Sequence, residues 1–250
     1  MNKVRADQLT VEQGLAETRS QARALIMAGQ VLTVRGEDFR ERVEKAGQML
    51  LPETELILKE QGERFVSRGG LKLDGALEDL RVDVKDLRVL DVGASTGGFT
   101  DCLIKRGAAH VTDVDVGYGQ LHWRLRKDPR VRVLERTNAR YLKKDQFEDL
   151  FDLAVIDVSF ISLSLILPPV KALIKPGGHI LSLVKPQFEA GLGKVGRGGV
   201  VRDPKVQEET VNSIADTARS IGFEVCARAP ARLKGPKGNQ EYFLLLGLPS

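Results

Sequence analysis

Residues 90–100 read LDVGASTGGFT, and this stretch decides the fold that we predict for most of the chain. An apolar segment, LRVLDV, leads into it and favours a buried strand, whereas GGFTDCLIKRG follows with the spacing of a helix. Gly93, Gly97 and Gly98 would let a ligand approach the backbone between the two elements. The stretch is neither a GxGxxG fingerprint nor a P-loop, because no GK[ST] follows it. It therefore predicts a ligand-binding turn of a different kind.

The ends of three consecutive predicted strands carry the polar residues Asp91, Asp115 and Asn138. Asp91 is unsuited to a pyrophosphate, and a carboxylate at that position suits a cation or a ligand amine. Asp115 ends the next strand, where an acid reaches ribose hydroxyls, and Asn138 follows the third, where it could hydrogen-bond an adenine edge. A nucleoside without phosphate and with a positive centre fits S-adenosylmethionine. The alternative is a glycine turn that only joins a strand to a helix.

Strands and helices alternate from this stretch almost to the end of the chain, which favours an α/β fold with a doubly wound, mostly parallel sheet. The last two strands, FEVCARAPARL and QEYFLLLGL, have no helix between them, so we expect them to form an antiparallel hairpin. Ahead of the sheet, two short helices with the strands QVLTV and ELILK indicate a small α+β unit. We predict a small domain at 1–60, a linker at 61–69 and a Rossmann-like domain at 70–250.

The composition restricts the possible partners and compartments. The 250 residues include 38 Lys and Arg against 34 Asp and Glu, and the net charge of +4 favours a polyanionic partner only mildly. The two cysteines and three histidines show no metal-ligand spacing, so we expect no metal. The first residues lack the apolar region of a signal peptide, and no apolar run is long enough to span a membrane. We expect a cytoplasmic protein with no membrane partner.

Three ionisable side chains fall at the ligand-binding edge of the predicted sheet. Asp157 ends the strand LAVID, and Lys185 ends ILSLVK, where Pro186 stops the ladder. Glu241 begins the antiparallel last strand, so its start lies at the edge where the parallel strands end. The three groups should therefore converge beside the cofactor. Ordinary salt bridges are the alternative, and each such residue taken alone is more often structural than catalytic.

Eight motifs together make the chain resemble a known family. They are SRGGLKL, DVGASTGGFT, DVGYGQL, ERTNAR, IDVSFISL, LVKPQFE, GGVVRDP and GNQEYF. With these motifs the chain resembles the TlyA-type proteins, also called the hemolysin A family, over nearly its whole length. Those proteins are methyltransferases similar to the FtsJ-type ribose 2′-O-methyltransferases of ribosomal RNA. The first 60 residues resemble a small RNA-binding domain of a ribosomal protein, through the helix TRSQARALIMAG and the strand QVLTV.

The resemblance implies roles for individual residues. The Lys–Asp–Lys–Glu tetrad of FtsJ-type enzymes matches Lys72, Asp157, Lys185 and Glu241. Lys185 would then be the base toward the ribose hydroxyl, and Lys72 the neighbouring cation that favours its neutral form. The loop and the strand ends supply the expected cofactor-binding residues, which are Asp91, Gly93, Ala94, Ser95, Thr96, Gly97, Gly98, Phe99, Asp115, Asn138 and Asp157.

RNA contacts are expected from basic residues in both parts of the chain. Residues 1–60 hold nine Lys or Arg and ten Asp or Glu, so RNA binding there must depend on a local face, and a merely solvated helix face is the alternative. The more basic stretches ARAPARLKGPKG and GKVGRGGVVRDPK flank the catalytic edge and could close over phosphates. The candidates are Arg5, Arg19, Arg23, Arg64, Arg68, Lys194, Arg197, Arg232, Lys234 and Lys237.

The function that the resemblance implies is S-adenosylmethionine-dependent 2′-O-methylation of cytidine in ribosomal RNA, with the RNA or a ribosomal subunit as partner. The chain ends directly after its last strand, as in the shorter family members that act on the large subunit, so 23S RNA is favoured and 16S RNA stays possible. Two other functions remain open. One is a non-catalytic RNA-binding factor in ribosome assembly, and the other is a cytolysin, which needs a membrane-spanning or exposed amphipathic element that the sequence does not show.

Overall fold

A computed structural model describes residues 3–35, 39–58, 64–191, 193–196, 198–235 and 237–249 of the chain. The chain divides into two compact units, Met1–Glu63 and Arg64–Ser250, which are treated separately below.

The first unit is a small α+β fold. Two helices pack on each other, and Thr18 begins the second by accepting a hydrogen bond from the Gln21 backbone N–H. A two-stranded ladder (β1 with β4) and a three-stranded antiparallel sheet in the order β3-β2-β5 complete the unit around a core that includes Leu9, Ile26 and Val31. The elements are β1 Val4–Arg5, α1 Ala6–Glu12, α2 Arg19–Met27, β2 Val31–Arg35, β3 Phe39–Arg42, β4 Met49–Leu50 and β5 Leu56–Leu58.

The second unit alternates strands and helices. Single-turn 3-10 segments at Ala139–Tyr141, Lys144–Gln146 and Leu163–Leu165 interrupt the alternation. The elements are α3 Arg68–Asp79, β6 Arg88–Val92, α4 Gly98–Lys105, β7 His110–Val114, α5 Trp123–Arg126, β8 Val131–Leu134, β9 Phe151–Ile156, α6 Leu167–Lys171, β10 Ile174–Val184, α7 Pro186–Glu189, α8 Pro204–Ser220, β11 Glu224–Pro230 and β12 Tyr242–Gly247.

A seven-stranded sheet with the order β11-β12-β10-β9-β6-β7-β8 organises the second unit. The strands from β10 to β8 are parallel, and β12 pairs antiparallel with both β10 and β11. The predicted doubly wound sheet with an antiparallel end is therefore confirmed. The chain direction of the crossovers reverses between β6 and β9, and ligands of such sheets bind in the crevice outside the strand ends at that point.

Apolar side chains cover both faces of this sheet. Leu90 and Ile156 point into one core with residues of α6 and α8, and Val89 and Val155 point into the other with residues of α3 and α4. Successive residues of one strand thus enter opposite cores, as expected for strands buried on both sides. The two filled cores hold the strand ends in fixed positions, which is what a site at that edge requires.

The structure differs from the sequence expectations in two places. The segment 61–69 was expected to be a linker, but Phe65 is buried in a sheet core and α3 begins at Arg68, so folded structure starts earlier; residues 59–63 lie outside the described part. The helix expected in LSLILPPVKALIK is limited to a 3-10 turn and the five residues of α6. Pro168 and Pro169 explain the interruption, because proline fits only the first turn of a helix.

Candidate active site

The loop after β6 lies where the ends of β6 and β9 come close together. Gly93 has a φ of +88°, and a Cβ at this position would lie 2.4 Å from the carbonyl oxygen of Asp157. Only glycine allows that approach. Asp115, at the end of β7, accepts hydrogen bonds from the backbone N–H groups of Ser95 (2.8 Å) and Gly117 (2.7 Å). The carboxylate of Asp115 therefore fixes the course of the loop and retains acceptor capacity toward a ligand.

A cavity of about 610 Å³ opens beside this loop, within the size range of small-molecule sites. A much smaller recess on the other side of the loop is lined by Ser95, Asp113 and Asp115 among others. The loop thus separates two spaces at the sheet edge. The larger one is lined by Ser67, Arg68, Gly69, Lys72, Gly93, Ala94, Ser95, Thr96, Gly98, Phe99, Asp157, Ser159, Phe160, Lys185, Gln187, Phe188, Gly199, Lys234, Lys237, Asn239 and Glu241.

One lysine–carboxylate pair in the cavity joins α3 to the start of β12. The Nζ of Lys72 donates to Oε2 of Glu241 at 2.6 Å, and both side chains are buried. Gln187 donates to the other carboxylate oxygen of Glu241 at 3.3 Å. Glu241 thereby satisfies both of its oxygens inside the protein, which buried carboxylates require. The Lys72 ammonium is held as a fixed cation at the cavity wall.

A second pair joins the ends of β9 and β10. The Nζ of Lys185 lies 2.5 Å from Oδ1 of Asp157 and donates a hydrogen bond to Oγ of Ser159 at 2.9 Å. Both charged side chains are mostly buried, with 11% and 22% of their surface exposed. Lys185 is the last residue before α7, which begins with Pro186, so the strand ends on a lysine that faces the cavity. Two ammonium groups and two carboxylates therefore line one space.

Asp91 does not line this cavity, and its expected contact with a cationic ligand stays a prediction. Its side chain is fully buried beneath the loop, and Thr100 Oγ1 lies 2.7 Å from Asp91 Oδ2 and 2.7 Å from Asp113 Oδ1. Burial, and next the charge of Asp113, raise the pKa of Asp91 well above its ordinary value, and burial raises the pKa of Asp113 to about 7. One hydroxyl hydrogen cannot serve two carboxylates, so this trio retains a proton.

Asn138 has a local structural role. Its side chain is exposed, lines neither space at the loop and accepts a hydrogen bond from the backbone N–H of Arg140 at 3.0 Å. It begins the 3-10 turn Ala139–Tyr141, a position that Asn favours because its side chain satisfies an otherwise free N–H. This capping uses the side-chain oxygen of Asn138, and the expected contact with an adenine edge stays a prediction.

Of the other expected cofactor residues, most line the larger cavity. Gly97 does not, because it packs under α5, with Leu125 and Leu121 where its Cβ would be. Asp115 lines the smaller recess. The cavity residues among the candidates are Gly93, Ala94, Ser95, Thr96, Gly98, Phe99 and Asp157.

Sequence reasoning missed several residues of the cavity. Ser159 holds Lys185, and Phe160 and Phe188 form a tilted ring pair with centroids 4.8 Å apart. Asn239 is buried and joins two loops, since it accepts from the Val201 backbone N–H and donates to the Gly199 carbonyl, both at 2.9 Å. The motifs IDVSFISL, LVKPQFE and GNQEYF contain these residues. Their side-chain directions could not be assigned from the motifs alone.

The expected RNA-binding residues fall into three groups. Three arginines of the first unit gather on the buried Asp7, with N···O distances of 3.0–3.2 Å, and their hydrogen bonds and charges hold the pKa of Asp7 below its usual range. Others form ion pairs on the second unit, and the third group lines the cavity. The arginines on Asp7 are Arg5, Arg19 and Arg23. The residues in ion pairs on the second unit are Arg64, Lys194 and Arg232, and those that line the cavity are Arg68, Lys234 and Lys237. Arg197 lies outside the described residues.

Two negative findings apply to the described part of the chain. No three His, Cys, Asp or Glu side chains there are grouped so that they could hold a metal ion. Among the helices within the same ranges, none has the length and hydropathy needed to cross a bilayer.

Comparison with known proteins identifies the family. The model of the FtsJ-like methyltransferases matches residues 65–248. The chain is 46% identical over 244 residues to the 16S/23S rRNA (cytidine-2′-O)-methyltransferase TlyA of Mycobacterium tuberculosis, covering 98% of this chain and 90% of that protein. It is 38% identical to hemolysin A of Brachyspira hyodysenteriae, covering 96% of this chain and 98% of that protein.

Solved structures give the same result for the fold. A structure from Streptococcus thermophilus named as a hemolysin has a TM-score of 0.75 and 44% identity, covering 100% of this chain and 90% of that chain. The N-methyltransferase NodS of Bradyrhizobium japonicum, in complex with S-adenosyl-l-homocysteine, shares only the fold, with a TM-score of 0.52 at 15% identity over 74% of this chain and 89% of that chain. The chain belongs to the FtsJ-like methyltransferase family, and S-adenosylmethionine is its methyl donor.

Proposed function

We propose that this protein methylates the ribose 2′-hydroxyl of cytidine in ribosomal RNA, with 23S RNA as the favoured substrate and 16S RNA as a possible one. The observation that carries the proposal is the convergence of two lysine–carboxylate pairs, Lys72–Glu241 and Lys185–Asp157, on one cavity beside the glycine loop. The relatives named for this reaction match almost the whole chain. An enzyme with this substrate works where ribosomes are, so we infer a cytoplasmic location.

The residues around the loop fit a nucleoside ligand that has no phosphate. Asp115 has both carboxylate oxygens fixed by backbone N–H groups and keeps further lone pairs that can accept ribose hydroxyls. Asp157, at the end of β9, adds a carboxylate beside Gly93 on the cavity side of the loop. S-adenosylmethionine, when bound, supplies an electrophilic methyl group on a positively charged sulfur. The residues proposed to hold it are Gly93, Ala94, Ser95, Thr96, Asp115 and Asp157.

Lys185 is the proposed base. A ribose hydroxyl is a weak nucleophile and must lose its proton as it attacks, so a group within hydrogen-bond reach has to accept that proton. Lys185 can do so only as a neutral amine. The ammonium of Lys72 and the positive charge of the methyl donor both disfavour a second ammonium in the cavity. The carboxylate of Asp157 acts in the opposite direction, because it attracts the ammonium form of Lys185. Ser159 holds the amine in position while the charge changes.

The Lys72–Glu241 pair is the proposed electrostatic support. Glu241 is almost completely buried, and its carboxylate balances the Lys72 ammonium as Asp157 balances that of Lys185. The Lys72 ammonium can then stabilise negative charge that develops on the attacking oxygen. Arg68, Lys234 and Lys237 also line the cavity, where they are suited to the phosphates that flank a target nucleotide.

The first unit is proposed as the RNA-targeting domain, with the arginine cluster on Asp7 as its contact face. Arg5, Arg19 and Arg23 keep 41–58% of their side-chain surface exposed although they share one buried carboxylate. Three guanidinium groups on a single acid leave a local positive charge with free N–H donors, which suits phosphate oxygens.

Mapping of 2′-O-methylation tests the proposed function. Purified protein and S-adenosylmethionine are incubated with unmethylated large and small ribosomal subunits in separate reactions, and the ribose methylation of each RNA is mapped. We expect a new 2′-O-methylcytidine in 23S RNA that disappears with Lys185→Ala. Methyl transfer to a base would overturn the proposal. So would the absence of methylation in both RNAs under conditions where the protein binds S-adenosyl-l-homocysteine.

A further inference from the structure

The segment 116–144 concentrates positive charge in a chain that is only mildly basic. It holds nine Lys or Arg and two Asp or Glu, whereas the whole chain has a net charge of +4. Both acids are already used, since Arg126 pairs with Glu135 and Arg130 pairs with Asp128. The other seven cations form no ion pair with any residue that the structure describes. They are Arg124, Lys127, Arg132, Arg136, Arg140, Lys143 and Lys144.

The same segment exposes large aromatic side chains. Tyr118, Trp123 and Tyr141 have 68%, 60% and 67% of their surface exposed. The chain contains one tryptophan and three tyrosines in all, so three of these four residues are on one segment and face solvent. Exposed aromatic rings lose the free energy that their burial would supply, which makes a group of them a sign of a binding surface.

A cation lies over each of these rings. The guanidinium carbon of Arg136 is 4.2 Å from the ring centre of Tyr118, and Lys127 and Arg124 lie 5.4 Å and 5.6 Å from that of Trp123. Arg140 lies 5.7 Å from the ring of Tyr141. Such pairs hold the ring and the cation together before any ligand arrives. We call the residues Tyr118, Trp123, Arg124, Lys127 and Arg136 the aromatic-basic surface.

The aromatic-basic surface is next to the cofactor loop. A Cβ on Gly97 would lie 2.3 Å from Leu125 Cδ1 and 2.7 Å from Leu121 Cδ1, so α5 packs directly on that loop. Trp123 lies between those two leucines in the sequence and is exposed, whereas they are buried. The outermost strand, β8, is three inter-strand spacings from β9, or about 14 Å. A nucleic acid strand of a few nucleotides can bridge that distance to the cavity.

We propose that the aromatic-basic surface binds unpaired nucleotides that adjoin the target nucleotide. This inference deepens the proposed function and rests on it. Aromatic and guanidinium planes stack on bases that are not held in a duplex, and unpaired cations bind the phosphates between them. A lipid surface is the less suitable partner, because α5 has four residues and its one leucine, Leu125, is buried, whereas membrane-binding helices expose an apolar face.

The single tryptophan makes the surface directly observable. The full-length protein is titrated with a short, unstructured, cytidine-rich RNA while the fluorescence of Trp123 is recorded. We expect saturable quenching that weakens as salt is raised. In a filter-binding assay, Trp123→Ala and the double variant Arg124→Glu, Lys127→Glu should each lower the affinity for this RNA about tenfold or more. Vesicles containing phosphatidylserine should leave the fluorescence unchanged.

A matched control reverses two charges elsewhere on the second unit. Lys85→Glu with Arg219→Glu changes the net charge by the same amount at exposed positions and should leave RNA affinity within about twofold. RNA binding without quenching, equal losses in both double variants, or a response to vesicles but not to RNA would overturn the inference. If quenching occurs and no ribosomal RNA is methylated, the proposed function is wrong, but RNA binding by the aromatic-basic surface is supported. If methylation occurs and the KM for RNA is unchanged in the Arg124, Lys127 variant, the surface fails alone.

Discussion

Lys72 and Glu241 lie 169 positions apart in the chain, and their side chains meet at 2.6 Å in the wall of the cavity. The contact joins the first helix of the second unit to its last strand, so the site is complete only when the whole sheet has formed. Lys185 and Asp157 form a comparable pair across neighbouring strand ends. The two pairs suggest separate experiments, because one is proposed to hold charge and the other to transfer a proton.

Replacing Lys185 should separate a base from a fixed cation. We expect Lys185→Ala to lower kcat on the order of 10²–10⁴-fold, the usual cost of losing a general base. Lys185→Arg should be nearly as inactive although it keeps the positive charge, because a guanidinium does not give up its proton. Single-turnover methyl transfer to ribosomal RNA is the measurement, with calorimetric binding of S-adenosyl-l-homocysteine as the check on folding. Substantial activity in the arginine variant would assign Lys185 the role of a cation only.

A double-mutant cycle should reveal the cost of leaving Lys72 unpaired. Glu241→Gln removes the carboxylate and strands a mostly buried ammonium, which we expect to lower the free energy of unfolding by roughly 3 kcal/mol or more. The double variant Lys72→Met, Glu241→Gln should recover most of that loss, because it removes the stranded charge as well. Urea unfolding measures both. Methyl transfer should remain lost in the double variant, and recovered activity would contradict the proposed role of the pair.

The buried Asp91–Thr100–Asp113 trio should make stability fall as pH rises. The pKa of Asp113 is raised by burial to about 7, so between about pH 4 and pH 7 the folded protein keeps a proton that the unfolded chain releases. The stabilisation that this retained proton contributes is complete below the pKa of the carboxyl in the unfolded chain, about 4. It is lost as pH rises from about 4 to about 7. Asp113→Asn should flatten this dependence. Between about pH 5 and pH 7.5, its free energy of unfolding, measured with urea, should fall by roughly 2 kcal/mol less than that of the wild type, or by a still smaller amount.

The control for the pH experiment is Asp145→Asn, which alters an exposed carboxylate on the same unit and should keep the wild-type slope. Equal slopes in wild type and Asp113→Asn would show that Asp113 does not retain a proton in the folded protein. The trio lies outside the larger cavity, although Asp113 lines the smaller recess.

The arginine cluster of the first unit should contribute binding and not chemistry. We expect Arg19→Ala with Arg23→Ala to weaken binding of ribosomal RNA and to reduce the slope of log affinity against log salt by about 2, one for each lost phosphate contact. Filter binding over a range of salt measures it. Glu17→Gln with Glu44→Gln, at exposed positions of the same unit, serves as a control and should leave the slope unchanged. An unchanged slope in the arginine variant would remove this cluster from the proposed RNA face.

A chain that begins at Arg64 should fold and bind S-adenosyl-l-homocysteine with nearly full-length affinity, because the second unit has its own sheet and two cores. It should methylate ribosomal RNA poorly, since the proposed targeting domain is missing. Circular dichroism, calorimetry and methyl transfer measure the three properties. Methylation equal to that of the full chain would exclude the first unit from substrate targeting.

The sequence by itself determined the order of strands and helices, the antiparallel end of the sheet and the glycine turn after β6. These features depend on hydrophobic periodicity and on the backbone freedom of Gly93, and both properties are local. Topology then made it possible to expect Asp157, Lys185 and Glu241 at one edge, because strand direction alone decides at which edge a residue lies. The concentration of positive charge in 116–144 is equally visible in the sequence.

Only the tertiary structure decided where individual side chains point and with which groups they pair. Asp91 has the sequence position of a ligand-binding residue, but packing buries it against Thr100, whereas Asn138 turns to its own backbone. Arg19 and Arg23 of α2 reach Asp7 of α1 across the helix pair, contacts that no spacing rule contains. The physical reason is that burial and ion pairing depend on segments distant in sequence, which only the folded core brings within a few ångströms of each other.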